Sequence, residues 1–164
     1  KNNKEFIIKK APPWHYEQKY LGFNYRMSDI HASLGLSQIN KYKKFNNLRN
    51  KLVKKYIDNL KDQNVSFQTI NKDSISSYHL FIIIFSEESI NIKVHKRLKK
   101  FNYLSNVHYQ PIHLQPYYKK LGFKEGDFPN AEKYPKYSLS IPLFPKLSLK
   151  HVNKISNIIK TTIS

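Results

Sequence analysis

Leu21 to Ile39, LGFNYRMSDIHASLGLSQI, reads as a loop that runs into the start of a helix. Gly22, Asn24 and Arg26 alternate along the loop, and Ser28 stands where an N-cap belongs. A serine hydroxyl there can accept from the free N–H groups of the first turn, and Asp29 suits the positive end of the helix dipole. Beyond the cap the residues turn small or apolar: Ile30, Ala32, Leu34, Gly35, Leu36. Small side chains let another backbone approach, so this helix is expected to pack closely against a neighbour.

Downstream, the first helix is expected to end near Asn40. A second amphipathic pattern then places Phe45, Leu48, Leu52, Val53, Tyr56 and Leu60 on one stripe. Joined end to end the two would span roughly 50 Å, so a bend is expected at Asn40 to Lys44. Val65 to Ile70 alternates like a strand, and Ser76 to Phe85, SSYHLFIIIF, reads as a central strand buried on both faces at Ile82 to Ile84. A helix is expected at Ile92 to Phe101, with Val94, Leu98 and Phe101 facing inward, then a short strand at Tyr103 to Tyr109. Pro111 and Pro116 break regular structure in HYQPIHLQPYY. Phe128 to Tyr137 is expected to be helical despite Pro135, and Leu139 to Phe144 extended. Ser148 caps a last helix whose stripe is Val152, Ile155, Ile158 and Ile159. This order predicts an α+β architecture, helices packed on a small sheet.

Upstream, residues 1 to 20 read as loop, since Pro12 and Pro13 prevent a helix. Trp14, Tyr16 and Tyr20 either anchor this loop to a core or line a pocket for a ring-shaped ligand; for Trp14, packing is the expected role.

Composition removes several function classes. The 164 residues carry no cysteine, which excludes disulfides and thiolate metal sites. The longest apolar run, Leu80 to Phe85, is too short to span a bilayer. The opening KNNKEFIIKK has no apolar core of the signal-peptide kind. A net charge of +18 raises nucleic-acid binding, yet of 29 basic residues only Arg26, Arg49 and Arg97 are arginine. Base reading leans on the arginine fork, so the lysines are expected to be an ordinary solvated surface, compatible with an anionic ligand. Seven histidines without cysteine or close carboxylate partners suggest no metal site.

Gly22-x-Asn24-x-Arg26-Met27-Ser28-Asp29-Ile30, continuing through Leu34-Gly35-Leu36 to Gln38, resembles a segment of the DegT/DnrJ/EryC1/StrS sugar-nucleotide aminotransferases. Pro13-Trp14-His15-Tyr16-Glu17-Gln18 resembles the Pro-Trp-Tyr-Tyr-Glu-Gln of one branch, which aminates UDP-linked 4-keto-6-deoxy-N-acetylhexosamines on the way to pseudaminic acid. Val107-His108-Tyr109-x-Pro111-x-His113-Leu114-Gln115-Pro116, Phe128-Pro129-Asn130-Ala131-Glu132 and Leu139-Ser140-Ile141-Pro142 continue the likeness almost to the C-terminus. A long motif with fixed spacing is far more specific than a short one.

The resemblance implies a fold-type I enzyme that uses pyridoxal 5′-phosphate (PLP). Residues 1–40 would end the large PLP-binding domain, and residues 41–164 would form a linking helix and the C-terminal small domain. The Schiff-base lysine of the family lies in a Ser-x-His-x-x-Lys segment followed by Gly-Glu-Gly-Gly, and neither occurs here. The chain is therefore expected to start just after that lysine, to hold no catalytic residue of its own and to be inactive alone. Asn24 matches the asparagine that reaches the cofactor phosphate of the other subunit. Tyr25, Arg26, His108, Tyr109 and His113 are the implied substrate-binding residues. Other roles stay open: a turn residue for Asn24, a surface salt bridge for Arg26, a structural hydrogen bond for His108. The implied partners are a UDP-sugar, glutamate as amino donor and a second copy of the chain, with a cytoplasmic location. An isolated chain should then expose the apolar face from Ile30 to Ile39.

Two departures stand out. His15 replaces the usual tyrosine, which leaves the sugar open, and Asn102 replaces a common glycine, which suggests an altered turn. Two rivals remain. A family dehydratase carries histidine at the lysine position, upstream of Lys1. A basic, aromatic-rich module could instead hold single-stranded nucleic acid by stacking and charge.

Overall fold

Ser28 caps a helix as its position requires. Its carbonyl accepts from the Ala32 N–H at 2.9 Å, and its hydroxyl from the His31 N–H at 3.4 Å. A computed structural model describes residues 20–23 and 25–163 of the chain. Two compact units are present, Lys1–Gln38 and Ile39–Ser164.

Helix α1 runs from Asp29–Leu60 without interruption. The helix end expected near Asn40 is absent: there is one helix of 32 residues, not two. Asn-Lys-Tyr-Lys-Lys contains neither proline nor glycine, the residues that usually interrupt a helix. In the first unit the described loop and the early turns of α1 expose Leu21, Phe23, Met27, Ile30, Leu34 and Leu36.

The second unit is built on a three-stranded antiparallel sheet in the order β1-β2-β3: Val65–Phe67, Phe81–Phe85 and Ser138–Ile141. Val65 pairs with Phe85, Phe67 with Ile83, Ile83 with Leu139 and Phe81 with Ile141. Directly opposed residues share a face, so these seven form one apolar face. It meets Leu52, Val53, Tyr56 and Leu60 of α1, Val94 and Leu98 of α2 (Ile90–Lys100), and Val152, Ile155 and Ile159 of α5 (Leu149–Ile163) in one core. Ser66, Ile82, Ile84, Ser138 and Ser140 form the other face.

Three expectations need correction. Ile82 and Ile84 are only half-buried while Phe81, Ile83 and Phe85 are buried, so β2 hides one face, not both. Phe101 lies past the end of α2 and is 46% exposed rather than inward. Tyr103 to Tyr109 forms no named strand, only a bridge between Asn106 and Ser140. Asn102 keeps the turn that glycine would make. Its φ is 61°, and the Asn102 and Tyr103 N–H groups donate to the Lys99 and Leu98 carbonyls. That pair of bonds is the helix-ending motif with a left-handed residue, which asparagine tolerates best after glycine.

Helix α4 (Pro129–Tyr137) starts on a proline and contains Pro135, which cannot donate inside the helix. Its last carbonyls find outside donors: Asn91 Nδ2 reaches Pro135 O at 2.8 Å, and Ser89 N reaches Lys136 O at 3.3 Å. Trp14, Tyr16, His15 and the Pro12-Pro13 break lie outside the described residues.

Candidate functional site

The site begins at Ser140. Its backbone pairs with Asn106 through bonds of 2.8 and 3.1 Å, which holds the following residues beside β3. Its hydroxyl lies 2.8 Å from His108 Nδ1. That contact leaves Nε2 as the ring nitrogen available to a ligand. The Tyr109 ring meets the His108 ring edge to face at 4.8 Å and is 72% exposed. Pro111 and Pro116 then do what their fixed geometry favours. One precedes a 3-10 turn (Ile112–Leu114) and the other opens α3 (Pro116–Lys120).

The turn buries His113, which is 7% exposed. Its Nε2 lies 2.8 Å from Glu132 Oε1. Glu132 also accepts from the Gly126 N–H at 2.8 and 3.0 Å and from the Phe128 N–H at 3.3 Å. Desolvation pushes the Glu132 carboxyl up. The bonds from His113, Gly126 and Phe128 outweigh it and hold the carboxyl below the usual range.

These elements line an open cleft of about 710 Å³, bordered among others by His108, Tyr109, His113, Tyr118, Phe123 and Phe128. An apolar, aromatic wall with a few polar points suits the faces of a ring-bearing ligand. Among the described residues that line the cleft there is no lysine. Among the described residues no cluster of His, Asp or Glu could hold a metal ion.

Of the residues singled out in the sequence, His108, Tyr109 and His113 come together in the cleft. Tyr25 and Arg26 belong to the first unit and are exposed, with Tyr25 stacked on Phe23 at 5.3 Å. Asn24 lies outside the described residues. Sequence reasoning gave no role to Tyr118, Phe123, Phe128 or Glu132. The available signal was three carboxylates, Glu125, Asp127 and Glu132, in a stretch of aromatics and turns, in a chain with only 11 acidic residues.

The sequence profile described as the DegT/DnrJ/EryC1/StrS aminotransferase family matches residues 6–160. The chain belongs to this family. It is similar to the UDP-4-amino-4,6-dideoxy-N-acetyl-beta-L-altrosamine transaminase of Campylobacter jejuni, at 32% identity over 163 residues, covering 91% of this chain and 43% of that protein. Among solved DegT-family structures it is similar to PseC of Helicobacter pylori, described as an aminotransferase involved in the biosynthesis of pseudoaminic acid. The TM-score is 0.78 and the identity 27%, over 94% of this chain and 42% of that one. It is also similar to Spr1654 of Streptococcus pneumoniae in its PLP-form, with a TM-score of 0.77 and 26% identity over 92% of this chain and 40% of that one. The chain spans about 40% of the length of the curated relatives it matches.

Proposed function

We propose that this chain is the C-terminal part of a PLP-dependent sugar-nucleotide aminotransferase. The whole protein moves an amino group, from glutamate, to C4 of a UDP-4-keto-6-deoxy-N-acetylhexosamine, in pseudaminic acid or related surface-glycan synthesis. The observation that carries this reading is the family match over residues 6–160. The C. jejuni relative supports the sugar nucleotide, and the PLP-form of Spr1654 supports the cofactor.

The cofactor supplies the amino-group carrier. Its Schiff-base lysine lies outside this chain, and Asn24 is the chain's contact to the cofactor phosphate, made across a homodimer interface that the apolar face of early α1 helps to form. Tyr25 and Arg26 approach the substrate from the same loop. In the second unit, His108 and Tyr109 bind the sugar nucleotide by hydrogen bonding and stacking. Ser140 fixes the His108 ring for that contact, and His113 adds to the wall of the same cleft.

The test compares the purified 164-residue chain with the full natural protein, each supplied with PLP, glutamate and a UDP-4-keto-6-deoxy-N-acetylhexosamine. The full protein is expected to turn over and the chain alone to be inactive. Transamination by the chain alone would overturn the assignment of the lysine to a position outside it.

A further inference from the structure

We infer that Glu132 is the positioning residue that sets the shape of the sugar-nucleotide cleft, by tying the loop 122–128 and the turn at His113 onto α4. The inference rests on the cleft being the sugar-nucleotide side of the enzyme, as proposed above.

Four rings form one side of the cleft in a continuous series. Tyr118 and Phe123 have centroids 6.4 Å apart, Phe123 and Phe128 6.2 Å, and Phe128 and His113 4.8 Å. All four line the cleft. The rings come from three separate pieces of chain: the 3-10 turn, α3 and the loop that follows it. That loop carries Gly122 at φ 99° and Gly126 at φ 95°, conformations that glycine takes without penalty, and within it Asp127 Oδ2 accepts from the Lys124 N–H at 2.9 Å, which fixes the turn but not its place against α4.

Glu132 supplies the tie to α4. One carboxylate accepts from the ring of the last member of the series and from the backbone of Gly126 and Phe128. Its side chain is 14% exposed and that of His113 8%, so the His113 end of the junction is largely buried while the Gly126 and Phe128 bonds lie at the surface. Charge-assisted bonds of 2.8 Å are the strong kind, and an ionised carboxylate can accept from all three donors at once. Glutamine with its oxygen at the Oε1 position keeps the shape and the three bonds made there, but it removes the charge that strengthens them and sets an amide donor against the Gly126 N–H where Oε2 had accepted at 3.0 Å. Alanine removes every bond. Neither change touches the ligand or the cofactor directly. The expected effect is therefore on how well the ring wall meets the sugar nucleotide, with the reacting groups untouched.

The experiment uses the full natural enzyme with Glu132→Gln and Glu132→Ala. KM is measured separately for the UDP-4-keto-6-deoxy-N-acetylhexosamine and for glutamate, alongside amide hydrogen exchange at Gly126 and Phe128. The glutamine variant is expected to raise KM for the sugar nucleotide about tenfold, with KM for glutamate and kcat within about threefold, and the alanine variant to raise it further. The Gly126 and Phe128 amides should exchange faster, while those of Leu98 and Ile155 do not change. An unchanged sugar-nucleotide KM in Glu132→Gln overturns the inference, and so does an equal rise in both KM values. A wild-type enzyme inactive on sugar nucleotides would instead overturn the proposed function, and this inference with it. If Glu132→Ala does not fold, Glu132→Gln decides the matter alone.

Discussion

Tyr56 ties α1 to the strand that carries the site, and removing its hydroxyl should have an effect whose size depends on pH. The side chain is fully buried, its ring stacks on Phe81 at 5.6 Å, and its hydroxyl donates to the Pro142 carbonyl at 2.9 Å. Tyr56→Phe keeps the ring and deletes the donor. A hydrogen bond is worth about 0.5–1.5 kcal/mol net, and an unsatisfied buried acceptor adds to the loss. A destabilisation of about 1–2 kcal/mol at pH 7 is expected. With a urea slope of roughly 2 kcal/mol per M, the midpoint of the 164-residue chain falls by about 0.5–1 M. Burial, aided by the nearby Tyr103 hydroxyl, pushes the Tyr56 phenol well above its ordinary value of 10.0. A raised folded-state value means that this stabilisation is complete below pH 10. It is lost as pH rises from there toward the folded-state value, because the unfolded phenol ionises first. The loss is about 1.4 kcal/mol per pH unit, so wild type and Tyr56→Phe should converge near pH 11. The other tyrosines are common to both proteins and cancel in the difference. Urea titrations of both at pH 7, 9, 10 and 11 read the gap directly. A gap that stays constant over that range would refute the reasoning.

Two further outcomes follow from the same structure. Leu98 is completely buried between the sheet and α5, so Leu98→Ala should cost about 2–5 kcal/mol; a urea midpoint within 0.3 M of wild type, taken as roughly the error of such a comparison, would contradict the packing. Ser140→Ala frees the His108 ring at a cost of about 1 kcal/mol. In the full enzyme it should raise KM for the sugar nucleotide about fivefold with kcat within about twofold, and an unchanged KM would separate His108 from binding.

Much of the fold was legible because burial follows period. Val94 and Leu98 on α2, and Val152, Ile155, Ile158 and Ile159 on α5, recur at helical spacing, and all of them are buried. Ser28 and Ser148 could be read as caps because the donors of a first turn need an acceptor, and each sits at its helix start. The central run FIIIF was harder. Five consecutive apolar residues carry no alternation, so nothing in them says that one face meets the core and the other is half-covered. The unbroken α1 was missed because a change in stripe looks like a boundary, whereas a helix stops only where a cap or a breaker stops it. Tyr103 to Tyr109 has strand composition, yet only Asn106 bridges to a strand, and pairing of that kind is set by the neighbouring strand.

The site was legible in part for a different reason. His108, Tyr109 and His113 stand within six residues of one another, with Pro111 and the 3-10 turn it precedes between them, and all three line the cleft. Glu132 lies nineteen residues beyond His113, and only the folded loop brings the two to 2.8 Å. No periodicity encodes that contact.

The most direct test of the central claim is to read the coding sequence immediately upstream of Lys1 in the natural gene. The account predicts an in-frame Ser-x-His-x-x-Lys followed by Gly-Glu-Gly-Gly. A histidine in place of that lysine, or a start codon close to Lys1 with no such segment before it, would contradict it.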